Sequence, residues 1–344
     1  MDNAVVLAEG VFGTTYGKTA NGLVRYSTRF RIKAVIDSRF EGKDAGMILS
    51  GKTSGIPVVS GVEQGLLLGA DTLVIGVATD GGFIPETYRQ FISDALKRGM
   101  NVVSGLHEFI GDDQEFSELA LSSGSRITDV RRLFRDLKIP FTGKIEEVRA
   151  KKIAILGTDS AIGKRTTSVF LTREMNMAGH KSVMVGTGQT SWMQGFKYTV
   201  VVDSMINDFV PGALEEITYQ AWVNEKPEYI FIEGQGSVLH PAYPGSFEII
   251  GACRPDGIIL QHAPARKYFD GFGKYRIPDL GKYVRILEEL SDRRVIAIAL
   301  NTENMTRHEV IKERNALERR FGIPVFDPLG KLLNVTREIS VMNL

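Results

Sequence analysis

The residues best suited to chemistry form one run, Gly157-Thr158-Asp159-Ser160-Ala161-Ile162-Gly163-Lys164-Arg165-Thr166. Two glycines bound a short polar turn, and a lysine follows the second at once. Backbone N–H groups of such a turn, with the N-terminus of a following helix, make a nest for phosphate oxygens. Gly163 lets the backbone approach a ligand closely, and Lys164 supplies a point charge for a terminal phosphate. The spacing departs from the usual phosphate loop. Counted back from Gly163-Lys164, the first glycine would fall at Thr158, and Gly157 stands one place earlier. Arg165 occupies the position of the hydroxyl residue that normally holds magnesium. Thr166 is one residue late, a rotation of about 100° around a helix, so it does not simply take over that role. The plain structural alternative is a tight glycine turn with an exposed lysine.

A second run, Tyr229-Ile230-Phe231-Ile232, ends in Glu233-Gly234-Gln235-Gly236-Ser237. An acid at the C-terminal end of a buried strand is where a carboxylate can hold a metal or a water beside a phosphate. His240 and His262 are candidate proton acceptors, since an imidazole has an unperturbed pKa of about 6.5. Asp208 could join Glu233 in holding Mg²⁺, or cap a helix, a role aspartate performs well. His107-Glu108 reads as structural, and His180 and His308 as solvated. Cys253 reads as a buried thiol rather than a nucleophile, which would need cationic surroundings.

These residues can act together only if strands end beneath them. Short Val- and Ile-rich runs alternate with helical patterns along the chain, which predicts βαβ units and parallel sheets. The expected strands are 4–8, 32–37, 57–60, 72–78 and 101–104, then 152–156, 182–185, 229–232, 257–260 and 295–300. Helices are expected at 85–98, 164–178, 211–223, 280–290 and 307–321. In open parallel sheets ligands bind beyond the carboxyl ends of strands, where both glycine-rich runs fall. A boundary is expected after Ile139-Pro140-Phe141-Thr142-Gly143, giving domains 1–148 and 149–344. The irregular stretch 267–278 reads as a lid, a subunit contact or a surface loop.

Composition narrows the classes. The 344 residues carry 24% charged side chains and a net charge of +1, without the clustered basic excess that nucleic-acid binding requires. One cysteine excludes an internal disulfide and a thiolate-based zinc site. No run approaches about 18 consecutive apolar residues, and the N-terminus lacks a signal-peptide pattern. A soluble cytoplasmic protein with no membrane span is expected.

The two glycine-rich runs resemble those of dethiobiotin synthetase. Gly157-Thr158-Asp159-Ser160 with Gly163-Lys164 follows that family's loop, and Ile232-Glu233-Gly234-Gln235-Gly236 its later acidic motif. The resemblance implies a nucleotide at Lys164 and a Mg²⁺ ligand at Glu233. Arg165, and Gly186-Thr187-Gly188-Gln189-Thr190 where that family carries a lysine, depart from it. Over nearly its whole length the chain resembles a two-domain family, DUF1611, that includes D-glutamate N-acetyltransferase. The residues that carry this are 157–167, Thr187-Gly188-Gln189-Thr190, Asp208-Phe209-Val210-Pro211-Gly212-Ala213, 233–243 and Gln261-His262-Ala263-Pro264.

The family resemblance implies an α/β chain, with a Rossmann-like first domain and a P-loop NTPase-like second domain on a mostly parallel sheet. It also implies acetyl-CoA as donor and an amino acid amine as acceptor. Acetyl-CoA contains an adenosine diphosphate that a phosphate nest could hold. Glu233 or His240 would then take the acceptor's proton. Two alternatives stand beside it: an ATP- and Mg²⁺-dependent ligase or kinase, and a nucleotide-binding regulator without turnover. A homo-oligomer is compatible with either. The first domain, through 55–59, 69–76 and 99–104, is also similar to the Rossmann-type domain of succinyl-CoA synthetase. Its Gly10, Gly13 and Gly17 do not follow the dinucleotide fingerprint. Asp37 stands where a ribose-binding acid would, yet a structural or substrate-gathering domain is the expected reading.

Overall fold

A computed structural model describes residues 1–330, so the last part of the expected second domain, 331–344, lies outside the described residues. The chain forms two compact units, Met1–Asp136 with Gln189–Lys197, and Leu137–Gly188 with Tyr198 onward. The first division thus falls after Asp136, ahead of the boundary expected at 148.

Six parallel strands make the first sheet: β1 (Asp2–Leu7), β2 (Phe30–Ile36), β3 (Val58–Val59), β4 (Thr72–Ile75), β5 (Asn101–Ser104) and β6 (Ile127–Asp129). Their order is β3-β2-β1-β4-β5-β6, the Rossmann arrangement. Ala4, Val5, Val6 and Leu7 are all fully buried. A parallel strand covered on both faces must read as a continuous apolar run rather than an alternating one. The helices are α1 (Lys18–Tyr26), α2 (Ala45–Ser50), α3 (Val62–Leu67), α4 (Glu86–Lys97), α5 (Gln114–Ser123) and the single turn α6 (Arg132–Arg135). Only α4 was legible from pattern, with Pro85 before it and Gly99 in the left-handed region after it. α1 carries Asn21 and Gly22 in its interior, which weakens its helical signature.

The second sheet has β7 (Lys151–Gly157), β8 (Ser182–Gly186), β9 (Tyr198–Thr199), β10 (Tyr229–Glu233) and β11 (Gly257–His262). After β11 comes an antiparallel hairpin, β12 (Tyr268–Phe269) and β13 (Phe272–Arg276), then β14 (Val295–Leu300) and β15 (Val325–Phe326). The order is β15-β14-β11-β7-β10-β8-β9, and every neighbouring pair is parallel. Ile153, Ile155, Phe231 and Ile259 pack with Leu171 and Met175 in its core. Each such side chain contributes roughly 1.5–3 kcal/mol when fully buried. The helices are α7 (Lys164–Met177), α8 (Gln189–Gln194), α9 (Val210–Glu225), α10 (Ser246–Cys253), α11 (Leu280–Ser291) and α12 (Arg307–Phe321). α12 opens on a Thr306/Glu309 capping box and ends at Gly322 in the left-handed region.

α8 belongs to the first unit, not the second. It packs beside α1 through polar groups: Gln189 Nε2 donates to Thr19 Oγ1 (2.8 Å), and Gln194 Nε2 to the Gly22 carbonyl (2.8 Å). The Gln194 carbonyl accepts from Thr28 N–H (2.7 Å). Gly105 makes room for this packing: a Cβ there would come 2.1 Å from Gln189 Oε1, and the Gln189 side chain would have to shift.

Candidate functional site

In the second unit β7, β8, β10 and β11 are all parallel, so their carboxyl ends open on one edge of the sheet. The loop after β7, Thr187-Gly188 after β8, Glu233–Gly236 at the end of β10 and His262 at the end of β11 therefore share that edge. Gly163 (φ 102°) and Ala161 (φ 49°) both take the left-handed conformation, and this curls the backbone around a concave centre. Lys164 starts α7 and is buried; its Nζ donates to the Asp159 carbonyl (2.6 Å). The lysine stem runs over Gly157 and Gly234. A Cβ at either would stand 3.1 or 3.0 Å from Lys164 Cδ, so both glycines keep that channel open.

The loop is braced chiefly from its carbonyl side; of its amides, Thr158 N–H donates to the Gln261 carbonyl (3.0 Å) and Ser160 N–H to Asp159 Oδ1 (2.7 Å). Tyr283 Oη donates to the Thr158 carbonyl (3.0 Å), Arg266 Nη1 to that of Ser160 (3.0 Å) and Arg266 Nη2 to that of Ala161 (3.4 Å). Asn301 Nδ2 donates to the Ile162 carbonyl (3.1 Å), and Thr167 N–H to that of Gly163 (3.0 Å). With Lys164 on Asp159, every carbonyl from Thr158 to Gly163 is engaged. The amides of Ala161, Ile162 and Gly163, by contrast, donate to no protein acceptor among the described residues. A run of backbone donors facing inward at a helix N-terminus is an anion nest.

Asp159 anchors the brace. It is fully buried, accepts from Arg266 Nη1 (3.0 Å) and Asp270 N–H (3.1 Å), and faces His240 Nε2 (3.3 Å). Burial works against its charge. The His240 imidazole and Arg266 guanidinium overcome that penalty and hold its carboxyl below the usual range. Burial likewise opposes the Arg266 charge, and Glu303 with Asp159 raises its pKa nonetheless. His240 Nδ1 accepts from the N–H groups of Ala242 (3.1 Å) and Tyr243 (3.0 Å). The ring proton is therefore placed on Nε2, on the Asp159 side, and the Nδ1 lone pair is taken up by two backbone donors. His240, expected as a proton acceptor, is placed as a buttress, ringed by Tyr243, Phe269 and Phe272.

Glu233 is buried, and its Oε2 accepts from Thr187 N–H (3.0 Å). Thr187 Oγ1 in turn donates to the Glu233 carbonyl (2.9 Å) and accepts from Gln235 Nε2 (2.9 Å). His262 Nδ1 lies 3.0 Å from Thr158 Oγ1, and burial pushes its imidazole down to about 4. It is neutral at pH 7. Arg165 and Thr166 lie half-buried in the first turn of α7. Asp208 stands exposed in a single turn, Asn207–Phe209, and caps neither that turn nor α9, whose N-cap residues are Ile206 and Phe209. The capping role expected of it is therefore not realised. No group of three or more His, Cys, Asp or Glu converges among the described residues. Cys253 is buried, and burial pushes its thiol up to about 12, as a structural thiol would be.

Sequence reasoning missed Arg266, Tyr283 and Asn301. In the first unit, Asp37 is taken up by its neighbours: it accepts from Phe12 N–H (3.0 Å) and from Arg39 Nε (2.9 Å) and Nη2 (2.6 Å). His180 pairs with Glu228 (3.0 Å) rather than standing solvated alone. No helix among the described residues is long and apolar enough to cross a membrane.

Comparison with known proteins agrees with this architecture. Residues 139–334 match the DUF1611 C-terminal P-loop domain, and residues 38–133 the DUF1611 N-terminal Rossmann-like domain, both described as domains of unknown function. A protein from Tritonibacter scottomollicae named D-glutamate N-acetyltransferase is 32% identical over 276 residues, covering 78% of this chain and 80% of that one. A protein of the same name from a Pseudoalteromonas species is 30% identical over 287 residues, covering 80% and 84%. The crystal structure of a DUF1611 family protein from Anabaena variabilis superposes with a TM-score of 0.90 at 28% identity, over 100% of both chains. With its Rossmann-like first unit and its braced phosphate loop in the second, this chain belongs to the DUF1611 family.

Proposed function

We propose that this chain is an N-acetyltransferase that moves an acetyl group from acetyl-CoA to the amine of an amino acid, with D-glutamate the first acceptor to test. The observation that supports it most is the set of inward amides at Ala161–Gly163 beside Lys164. Gly157 and Gly234 suit the same purpose, since a Cβ at either would crowd the lysine that reaches into the nest. Lys164 and the loop amides would hold the coenzyme diphosphate. The bound coenzyme supplies an acyl group already activated as a thioester, so no ATP need be spent. Arg165 fits this, because it stands where a magnesium-holding hydroxyl would be needed for ATP chemistry.

The acceptor arrives as an ammonium and must lose a proton before its nitrogen can attack. Glu233 is the residue assigned that task, since it lies at the strand edge and is oriented by Thr187 N–H. The neutral amine then forms the C–N bond, the C–S bond breaks, and the departing thiolate takes up the proton that the attacking nitrogen gives up on becoming an amide. His262, neutral and tied to Thr158, orients the loop rather than carrying charge. A second reading, Mg²⁺-dependent use of ATP, draws on Glu233 at the end of β10.

The test is a titration of the purified protein with acetyl-CoA and with Mg-ATP, followed by thiol release with D-glutamate, L-glutamate and amino acid mixtures. Acetyl-CoA binding that is lost in Lys164→Ala, with thiol released only when an amine is present, is expected. Binding of Mg-ATP alone, with phosphate released, would replace acetyl transfer by the ATP reading.

A further inference from the structure

Within the first unit lies a cavity of about 560 Å³ whose lining includes Arg29, Arg126, Arg132, Ile127, Asp129 and Trp192. Its charge is unbalanced. Asp129 is occupied, accepting from the N–H groups of Ile110 (2.9 Å) and Gly111 (3.0 Å) with Arg132 Nε at 3.8 Å. Arg132 also faces Asp112 at 2.5 Å. Arg29 and Arg126 have no carboxylate within ion-pairing distance among the described residues.

Arg29 is nonetheless fixed in place. Its Nε donates to the Trp192 carbonyl (2.8 Å), and its guanidinium lies 3.8 Å over the Trp192 ring. A stacked guanidinium loses little further freedom when its remaining N–H groups grip an anion. The main chain adds donors. β6 is the outer strand of its sheet. Its ladder to β5 uses the Arg126 carbonyl, which accepts from Val102 N–H (2.9 Å), and Val130 N–H, which donates to Ser104 (2.8 Å). The alternate groups, at Ile127 and Asp129, face away from the sheet on the cavity side.

We propose that this cavity binds a small organic dianion, a dicarboxylate or a phosphate ester, between the Arg29 and Arg126 guanidiniums. Two cations without a carboxylate partner, one of them held by its stack on Trp192, call for two negative groups, and the Trp192 ring adds an apolar wall to the cavity. The site is independent of acetyl transfer, so it is tested with ligands that carry no amine and no coenzyme.

The full chain with Trp222→Phe leaves Trp192 as the one tryptophan, and its fluorescence reports on the cavity. Glutarate and glycerol 3-phosphate are titrated, with butyrate as the monoanion control, and calorimetry checks stoichiometry. Saturable binding of either dianion below about 1 mM is expected, weakened at least about tenfold in Arg126→Gln, an exposed position. Arg29→Lys keeps the charge and loses the stack, and an intermediate loss is expected there. Which dianion binds tells a carboxylate site from a phosphate site. No saturable signal from either, equal binding of butyrate, or unchanged affinity in Arg126→Gln overturns the proposal.

Discussion

Each unit carries a glycine-containing turn between a central parallel strand and a helix, and the two turns differ in what happens to their amides. In the β1–α1 turn the amides are consumed. Val11 N–H donates to the Ala8 carbonyl, Phe12 N–H to Asp37, Gly13 N–H to Asn21 Oδ1 and Thr14 N–H to the Val11 carbonyl. Phe12 fills the middle and is buried. In the β7–α7 turn the carbonyls from Thr158 to Gly163 are consumed, by Lys164 and Thr167 of α7 and by Tyr283, Arg266 and Asn301 from further along the chain, while the amides of Ala161, Ile162 and Gly163 keep no protein acceptor among the described residues. Glycines permit both outcomes. What decides whether such a turn can receive an anion is whether the surroundings leave its amides unsatisfied.

Breaking the brace should have the largest effect. Arg266→Ala leaves Asp159 buried with its guanidinium partner gone, and a loss on the order of 3–5 kcal/mol is expected in urea unfolding of the second unit. A loss below about 1 kcal/mol would mean that the carbonyl-side bracing does not hold the turn. Next comes Lys164→Ala, expected to weaken acetyl-CoA binding on the order of 100-fold by calorimetry. The contrast is Lys18, which follows Gly17 at the start of α1 as Lys164 follows Gly163. Lys18→Ala should leave that affinity unchanged.

Acid should distinguish the turns as well. His262 has its pKa depressed to about 4 in the folded state against about 6.5 unfolded. The unfolded chain therefore takes up a proton that the folded one refuses, and stability is full above pH 6.5 and falls as pH drops toward 4. After allowance for partial exposure the loss is on the order of 2 kcal/mol. Asp159, with a depressed carboxyl pKa, loses its contribution only at lower pH, below about 4. His262→Asn should flatten stability between pH 6.5 and 4 in thermal melts. The smallest effect belongs to the first turn: Asn21→Ala should cost about 1 kcal/mol through the lost bond to Gly13, with acetyl-CoA affinity untouched.

The phosphate turn was legible because a buried strand announces itself as a continuous apolar run and glycines mark its exit. The same rule located Glu233 at the end of β10. The brace was harder to see. Arg266 sits just before the stretch 267–278, which offers no periodicity. Even so, Asp270-Gly271 between Phe269 and Phe272 is the dipeptide that favours a two-residue hairpin, and Gly271 does take the left-handed conformation. His240 was found by position, but its role could not be, since Nδ1 is committed by backbone two and three residues on and Nε2 faces Asp159, far away in sequence. α8 escaped notice for another reason. Its buried face is Gln189, Thr190, Ser191, Met193 and Gln194, mostly polar, and its partners Thr19 and Gly22 lie far away in sequence.

That late helix bears on how the protein is made. A ribosome delivers residues 1–136 well before residues 189–197, yet the first unit is built from both. The early nascent chain emerges with the α1 flank that α8 will cover still wet, and Thr19 and the Gly22 carbonyl have only water to bond. Maturation of the amino-terminal half therefore waits on synthesis of the β7–α7 region between them, so the order of translation is not the order of completion.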